Sequence, residues 1–199
     1  MHPLGIVTIV VVVVYILAQE IAKRVIDAKL QALYANDRYD ECINLLNKPL
    51  SRILQTTYQQ YVQRFTVYEA KGDAKAASFT LDTLLGLRLT KKHRLEAVTR
   101  AFNYYVQQGQ GAKSKKMLAE IAASGNRELA ADCRLTYAIV FSGEHGYIDQ
   151  MEALLEKADP AQKAKLCFLL SKQYANVGNR ERAKHFRQLA KQVERELSA

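Results

Sequence analysis

Two hydrophobic patterns divide the chain. From Met1 to Gln19 no side chain is formally charged, and Leu4 to Ala18 (LGIVTIVVVVVYILA) is apolar almost without interruption. Such a run leaves no face for water. Coiled as a helix at about 1.5 Å per residue, nineteen residues cover roughly 28 Å, close to the ~30 Å hydrocarbon core of a bilayer. Val10 to Val14 would weaken a helix in water, but in lipid an unpaired backbone group costs several kcal/mol and the helix is enforced. The pattern predicts a transmembrane anchor over residues 1–20, with Leu4, Ile6, Val7, Ile9, Val10, Val11, Val12, Val13, Val14, Tyr15, Ile16 and Leu17 facing lipid. A cleaved export signal fits less well, since no Lys or Arg precedes the run and a cut after Ala18 would leave bulky Ile16 at its third position. Lys23, Arg24 and Lys29 follow the span directly, against only His2 and the free amine before it. That asymmetry predicts a single-pass membrane protein with its C-terminal body in the cytoplasm.

Beyond residue 20 the apolar positions take helical spacing, and the breaks between helices recur. Asp37, Gly72, Gly109, Gly143 and Gly178 stand 35, 37, 34 and 35 residues apart, each closing an apolar helical stretch. Residues tolerant of positive φ serve there as helix stops. Five residues after four of these breaks come Cys42, Ala77, Ser114 and Ala183, all small; four residues before them come Leu33, Tyr68, Tyr105 and Tyr174, all large. Small side chains let the two helices of a hairpin approach closely, and large ones fill the space between hairpins. A helical hairpin repeated about five times over residues 21–199 is the expectation. After Gly143 the extra residues GEHGYIDQM delay the second helix of the fourth hairpin. No Gly or Pro separates the span from Ile21, so anchor and first hairpin are expected to share one helix. Ala183, Phe186, Ala190, Val193 and Leu197 line one face of a last, closing helix.

The small and large positions at this interval resemble those of the tetratricopeptide repeat family, from about Ile21 to Val193. The motif's Tyr and first small position match well. Its Trp is replaced by Ile26, Tyr61, Val98 and Cys167, its Gly by Leu30, Phe65, Phe102 and Ser171, and only the fourth repeat ends in the expected manner, at Asp159-Pro160. The resemblance implies an all-α chain, an N-terminal transmembrane helix followed by an α-solenoid of TPR-like hairpins. It also implies a concave groove lined by the first helices, which grips a peptide or a partner protein. In this register Thr99, Arg100, Asn103 and Gln107 of the third repeat and Lys165, Lys172 and Asn176 of the fifth face the groove. Arg100 with Asn103 would hold a carboxylate by charge-assisted hydrogen bonds. The clamp for terminal carboxylates found in part of the family is not reproduced, because the second repeat offers Gln59, Gln63 and Thr66.

Composition changes the picture little. Apolar residues make up 49% and charged residues 25% of 199 residues, and 9 Gly with 3 Pro are too few for a fold built on many tight turns. The net charge of +9 favours anionic partners, with membrane lipid and acidic protein segments ahead of nucleic acid, since the cations are spread over several helices without a reading motif. Residues 71–130 hold 11 Lys and Arg against 5 Asp and Glu. Within them Lys91, Lys92, His93 and Arg94 (KKHR) read as a solvated basic loop, or as a contact for acidic headgroups or an acidic partner.

Cys42, Cys133 and Cys167 are odd in number, far apart and without a CxxC pair, so no disulfide framework or zinc ribbon is expected. His2, His93, His145 and His185 are scattered, and no HExxH, GxSxG, GxxxxGK[ST] or GxGxxG occurs. The expectation is a binding protein and not an enzyme, with no catalytic residues, metal or cofactor. Anchor plus repeats is similar to the layout of inner-membrane proteins that regulate lipopolysaccharide assembly by bringing a protease to its substrate. Their rubredoxin-like domain with paired CxxC has no counterpart in this sequence. A membrane-anchored scaffold or adaptor is the first functional expectation. The alternatives are an extracytoplasmic chaperone-like partner of an export machine and a structural subunit of a larger membrane complex.

Overall fold

The computed structural model describes residues 3–198, with the side chains of 11–193, 195 and 196. Among the described residues the chain is all-helical. Its elements are α1 (Pro3–Ala35), α2 (Tyr39–Asn47), α3 (Pro49–Leu54), α4 (Thr57–Lys71), α5 (Ala74–Gly86), α6 (Lys91–Gln107), α7 (Gly111–Ala123), α8 (Arg127–Phe141), α9 (Ile148–Leu155), α10 (Pro160–Asn176) and α11 (Arg180–Ser198).

Each of the five breaks read from the sequence is a left-handed residue between two helices: Asp37 at φ 57°, Gly72 at 77°, Gly109 at 68°, Gly143 at 78° and Gly178 at 78°. At four of them the hydrogen bonds repeat. The N–H after the break donates to the carbonyl of the large residue, Arg38 to Leu33 (2.9 Å), Asp73 to Tyr68 (3.0 Å), Gln110 to Tyr105 (2.8 Å) and Asn179 to Tyr174 (2.9 Å). This is the six-to-one bond of a Schellman stop, which satisfies a carbonyl the helix leaves open. The small residues then enter the second helix, Cys42, Ala77 and Ser114 at 0% exposure and Ala183 at 4%. Gly143 departs from the scheme: Glu144 bonds Ala138, and α9 begins late, at Ile148. Several helix starts are held by side chains, a Thr56/Gln59 capping box on α4, Asp73 on α5, Asn126 on α8 and Asp159 followed by Pro160 on α10.

The chain forms two compact units, residues 1–93 and 94–199. In the first, α1 runs unbroken into the first hairpin, and Leu30, Leu33, Cys42, Leu45, Leu46 and Val67 make a core between α1, α2 and α4. Phe65 at the motif's Gly position is fully buried, as are Ala77, Leu81 and Leu84 of α5. In the second, Ile139, Met151, Cys167, Leu169, Leu170, Phe186 and Ala190 form the core of α8 to α11. Tyr174 stacks on Phe186 with centroids 5.5 Å apart, and its hydroxyl donates to Glu152 at 2.8 Å. The α11 face is as expected for Ala183, Phe186, Ala190 and Val193; Leu197 lies outside the described side chains.

Three features differ from the sequence reading. A short α3 intervenes between the first two hairpins, because Pro49 cannot continue α2 and starts a new helix at its first position. Gly125, at φ 84°, is a further left-handed stop, after α7. The KKHR segment is no loop but the first turn of α6, where His93 stacks on Tyr58 at 4.0 Å and Arg94 pairs with Glu120.

Among the described residues no helix is long and apolar enough to cross a membrane. Of the expected anchor, Leu4, Ile6, Val7, Ile9 and Val10 lie outside the described side chains. Val11 to Leu17 are described, and every one of them is exposed, from 48% at Val13 to 62% at Val11. They occupy all sides of α1, and none of them is buried among the described residues.

Candidate binding groove

The second unit contains a groove of about 590 Å3, walled by α6, α8, α10 and α11. Helical spacing builds its walls. Thr99, Asn103 and Gln107 recur every four residues along α6 and form one stripe; Asp132 and Thr136 stand four apart on α8 with Cys133 beside them, and Lys165, Phe168 and Lys172 follow at three and four residues on α10. Arg187, Ala190 and Lys191 of α11 complete the lining.

Five of the seven residues expected to face a groove therefore line this one: Thr99, Asn103, Gln107, Lys165 and Lys172. Arg100 does not. It follows Thr99 by about 100° around α6 and stands exposed outside the lining, so the paired carboxylate grip of Arg100 with Asn103 is not formed in this groove. Asn176 is committed elsewhere. Its amide donates to the carbonyls of Ile139 (2.8 Å) and Glu144 (3.0 Å), which the irregular end of α8 leaves open, and so fastens the loop leading to α9. Gln173, fully buried, assists by accepting from the Tyr147 N–H at 3.0 Å.

The sequence reading missed Asp132, Arg187 and Lys191. Asp132 was marked by spacing, since it stands 33 residues before Lys165 and each is the sixth residue of its helix. Arg187 and Lys191 are on a second helix, where the expected pattern places no groove residue.

Chemically the groove has three kinds of wall. Leu169, Cys133 and Val106 give an apolar floor, each at most 3% exposed. On α6 the Asn103 and Gln107 amides are exposed and hydrogen-bond no described residue, which leaves donors and acceptors open to a ligand backbone. Opposite them, Lys165 donates to both Asp132 carboxylate oxygens at 2.5 Å, and Lys172 lies 5.5 Å from the Phe168 ring centroid. Lys172, Arg187 and Lys191 have no carboxylate partner among the described residues.

The chain matches no protein-family model, no curated protein and no solved structure. The groove's chemistry must be read from its own residues. Cys133 is the one nucleophile type in the floor, and burial, with a smaller contribution from the Asp132 charge, pushes its thiol up to about 11. At neutral pH it is a protonated thiol and behaves as a small apolar side chain. Burial raises Cys42 and Cys167 as well. No group of three or more His, Cys, Asp or Glu side chains able to hold a metal ion occurs among the described residues. The arrangement offers amides to a main chain, an apolar floor to side chains, and three cations without a carboxylate partner among the described residues to negative charge.

Proposed function

We propose that this protein is a membrane-tethered scaffold or adaptor whose second unit holds a segment of a partner protein in the groove of α6, α8, α10 and α11. The observation that carries the reading is the convergence of stripes from three successive first helices, Thr99/Asn103/Gln107, Asp132/Thr136 and Lys165/Lys172, on one open groove. An extended segment with acidic side chains fits it, its main chain meeting Asn103 and Gln107 and its carboxylates meeting Lys172, Arg187 and Lys191. In this reading the five hairpins are degenerate tetratricopeptide-like repeats. The recurring stops and buried small residues support that assignment.

The tether reading is supported by the apolar run of α1. Side chains from Val11 to Leu17, exposed on all sides of one helix, favour a nonpolar surrounding, and the whole uncharged run Met1 to Gln19 would cover roughly 28 Å as a helix, close to the ~30 Å hydrocarbon core. In this reading the body lies on the cytoplasmic side, which the cations Lys23, Arg24 and Lys29 after the apolar run support.

The test is proximity labelling in the protein's own cells, with the labelling enzyme fused to the C-terminus. Lys172→Glu combined with Lys191→Glu is expected to remove a partner labelled by the wild type, and Arg100→Glu to retain it, with helical content unchanged in both. Equal labelling by all three would contradict binding in the groove. A labelled set composed of extracytoplasmic proteins would contradict the orientation.

A further inference from the structure

Helix α3 is six residues long and turns an apolar face to water. Leu50 is 55% exposed and Ile53 is 75% exposed, one helical turn apart, while Ser51 and Gln55 occupy the opposite, buried side. The exposure is built in. The Ser51 hydroxyl donates to the Leu45 carbonyl at 2.7 Å, and the Gln60 amide donates to the carbonyls of Arg52 (2.9 Å) and Gln55 (3.0 Å). These bonds fix the helix from behind, so Leu50 and Ile53 cannot roll inward to escape water.

The position of α3 along α1 points to what covers that face. After the stop at Asp37 the chain turns back along α1: the Cys42 thiol meets the Leu30 carbonyl, and the Gln55 amide reaches the Asp27 carboxylate at 3.4 Å. Asp27 is one turn, about 6 Å, beyond Lys23. Ile21 and Val25 are 62% and 61% exposed, so the apolar surface of α1 continues up to that level, among the cations Lys23 and Arg24. Long basic side chains at the end of a span reach for headgroups while their stems stay in the apolar layer. Lys48 at the N-cap of α3 and Arg52 within it are both exposed and without an ion-pair partner among the described residues. One exposed apolar face on a short helix whose other sides carry Lys48 and Arg52 matches the boundary of an anionic leaflet, with apolar tips below and positive charge at the phosphates.

We infer that α3 is a second membrane contact, seating Leu50 and Ile53 in the headgroup layer of an anionic bilayer while Lys48 and Arg52 bind its phosphates. The inference rests on the reading of α1 as a tether. It gives the first unit a fixed attitude to the membrane, which a single anchoring helix would not impose.

The test uses the full chain in phosphatidylcholine vesicles containing phosphatidylglycerol. The native cysteines are all buried, so a polarity-sensitive dye can be placed at Ile53→Cys and, as a reference, at exposed Lys75→Cys on α5. A blue-shifted emission quenched by lipid-borne nitroxide at position 53 but not at 75 is expected. Lys48→Glu with Arg52→Glu should cut that quenching by about half or more. A label at 53 that stays as aqueous as the one at 75, in chain that remains with the vesicles through an alkaline wash, overturns this inference alone. Chain that washes off overturns the tether reading, and the contact of α3 falls with it.

Discussion

At the residue scale, the demands on single positions are volume and charge. Ala77 is completely buried at the start of α5, where a larger side chain has no room. Ala77→Leu should destabilise the chain by about 1–3 kcal/mol, while Lys75→Leu, exposed two residues earlier, should change stability by less than about 0.5 kcal/mol. Thermal unfolding of both variants in detergent checks this, and equal midpoints would contradict the hairpin packing. Arg94 and Glu120 give a pH-dependent contribution. The guanidinium grips both carboxylate oxygens, at 2.5 and 2.9 Å, and holds Glu120 below its ordinary value of 4.5. A carboxylate depressed in the folded state stabilises above its unfolded value and loses that contribution as pH falls through the folded one. Because both side chains are about a third exposed, solvent screens much of the interaction. The stability difference between wild type and Glu120→Gln should therefore be modest and constant above pH 5, and close as the pH drops below 4.5. A gap that widens in acid would contradict the pairing.

Elements show what the sequence could disclose and what it could not. Breaks at Asp37, Gly72, Gly109, Gly143 and Gly178 were legible because a left-handed backbone restricts the residue itself. Small and large positions were legible because a closely packed hairpin fixes volume at a constant distance from its stop. Helix α3 was not, since LSRIL between Pro49 and Gln55 is too short to display a period, and its bonds come from Leu45 and Gln60 outside it. The role of Asn176 was hidden for a related reason. Its partners are carbonyls of the α8 end and the following loop, exposed by the insertion after Gly143, and no spacing along α10 records them. KKHR looked like a loop because four basic residues at a helix start oppose the helix dipole. Tyr58 and Glu120, which stack on and pair with two of them, come from other helices.

For the whole molecule, the two units divide the labour. The first carries the uncovered apolar length of α1, the hairpins that end in Asp37 and Gly72 turns, and the exposed face of α3. The second carries the groove. Part of that groove was visible as the stripe Thr99, Asn103 and Gln107 on α6 and as Lys165 and Lys172 on α10, but its charge was not: Asp132 cancels Lys165, and the positive wall comes from Arg187 and Lys191 together with Lys172. In the proposed reading, positive charge without a carboxylate partner, beside open amides and an apolar floor, suits this surface to a partner chain. The most direct measurement of that claim is photocrosslinking in cells from a photoreactive residue placed at Asn103 inside the groove, against the same residue at Arg100 just outside it. An adduct to a partner segment from position 103, absent or much weaker from position 100, is the predicted result. Adducts from 100 but none from 103 would contradict the account.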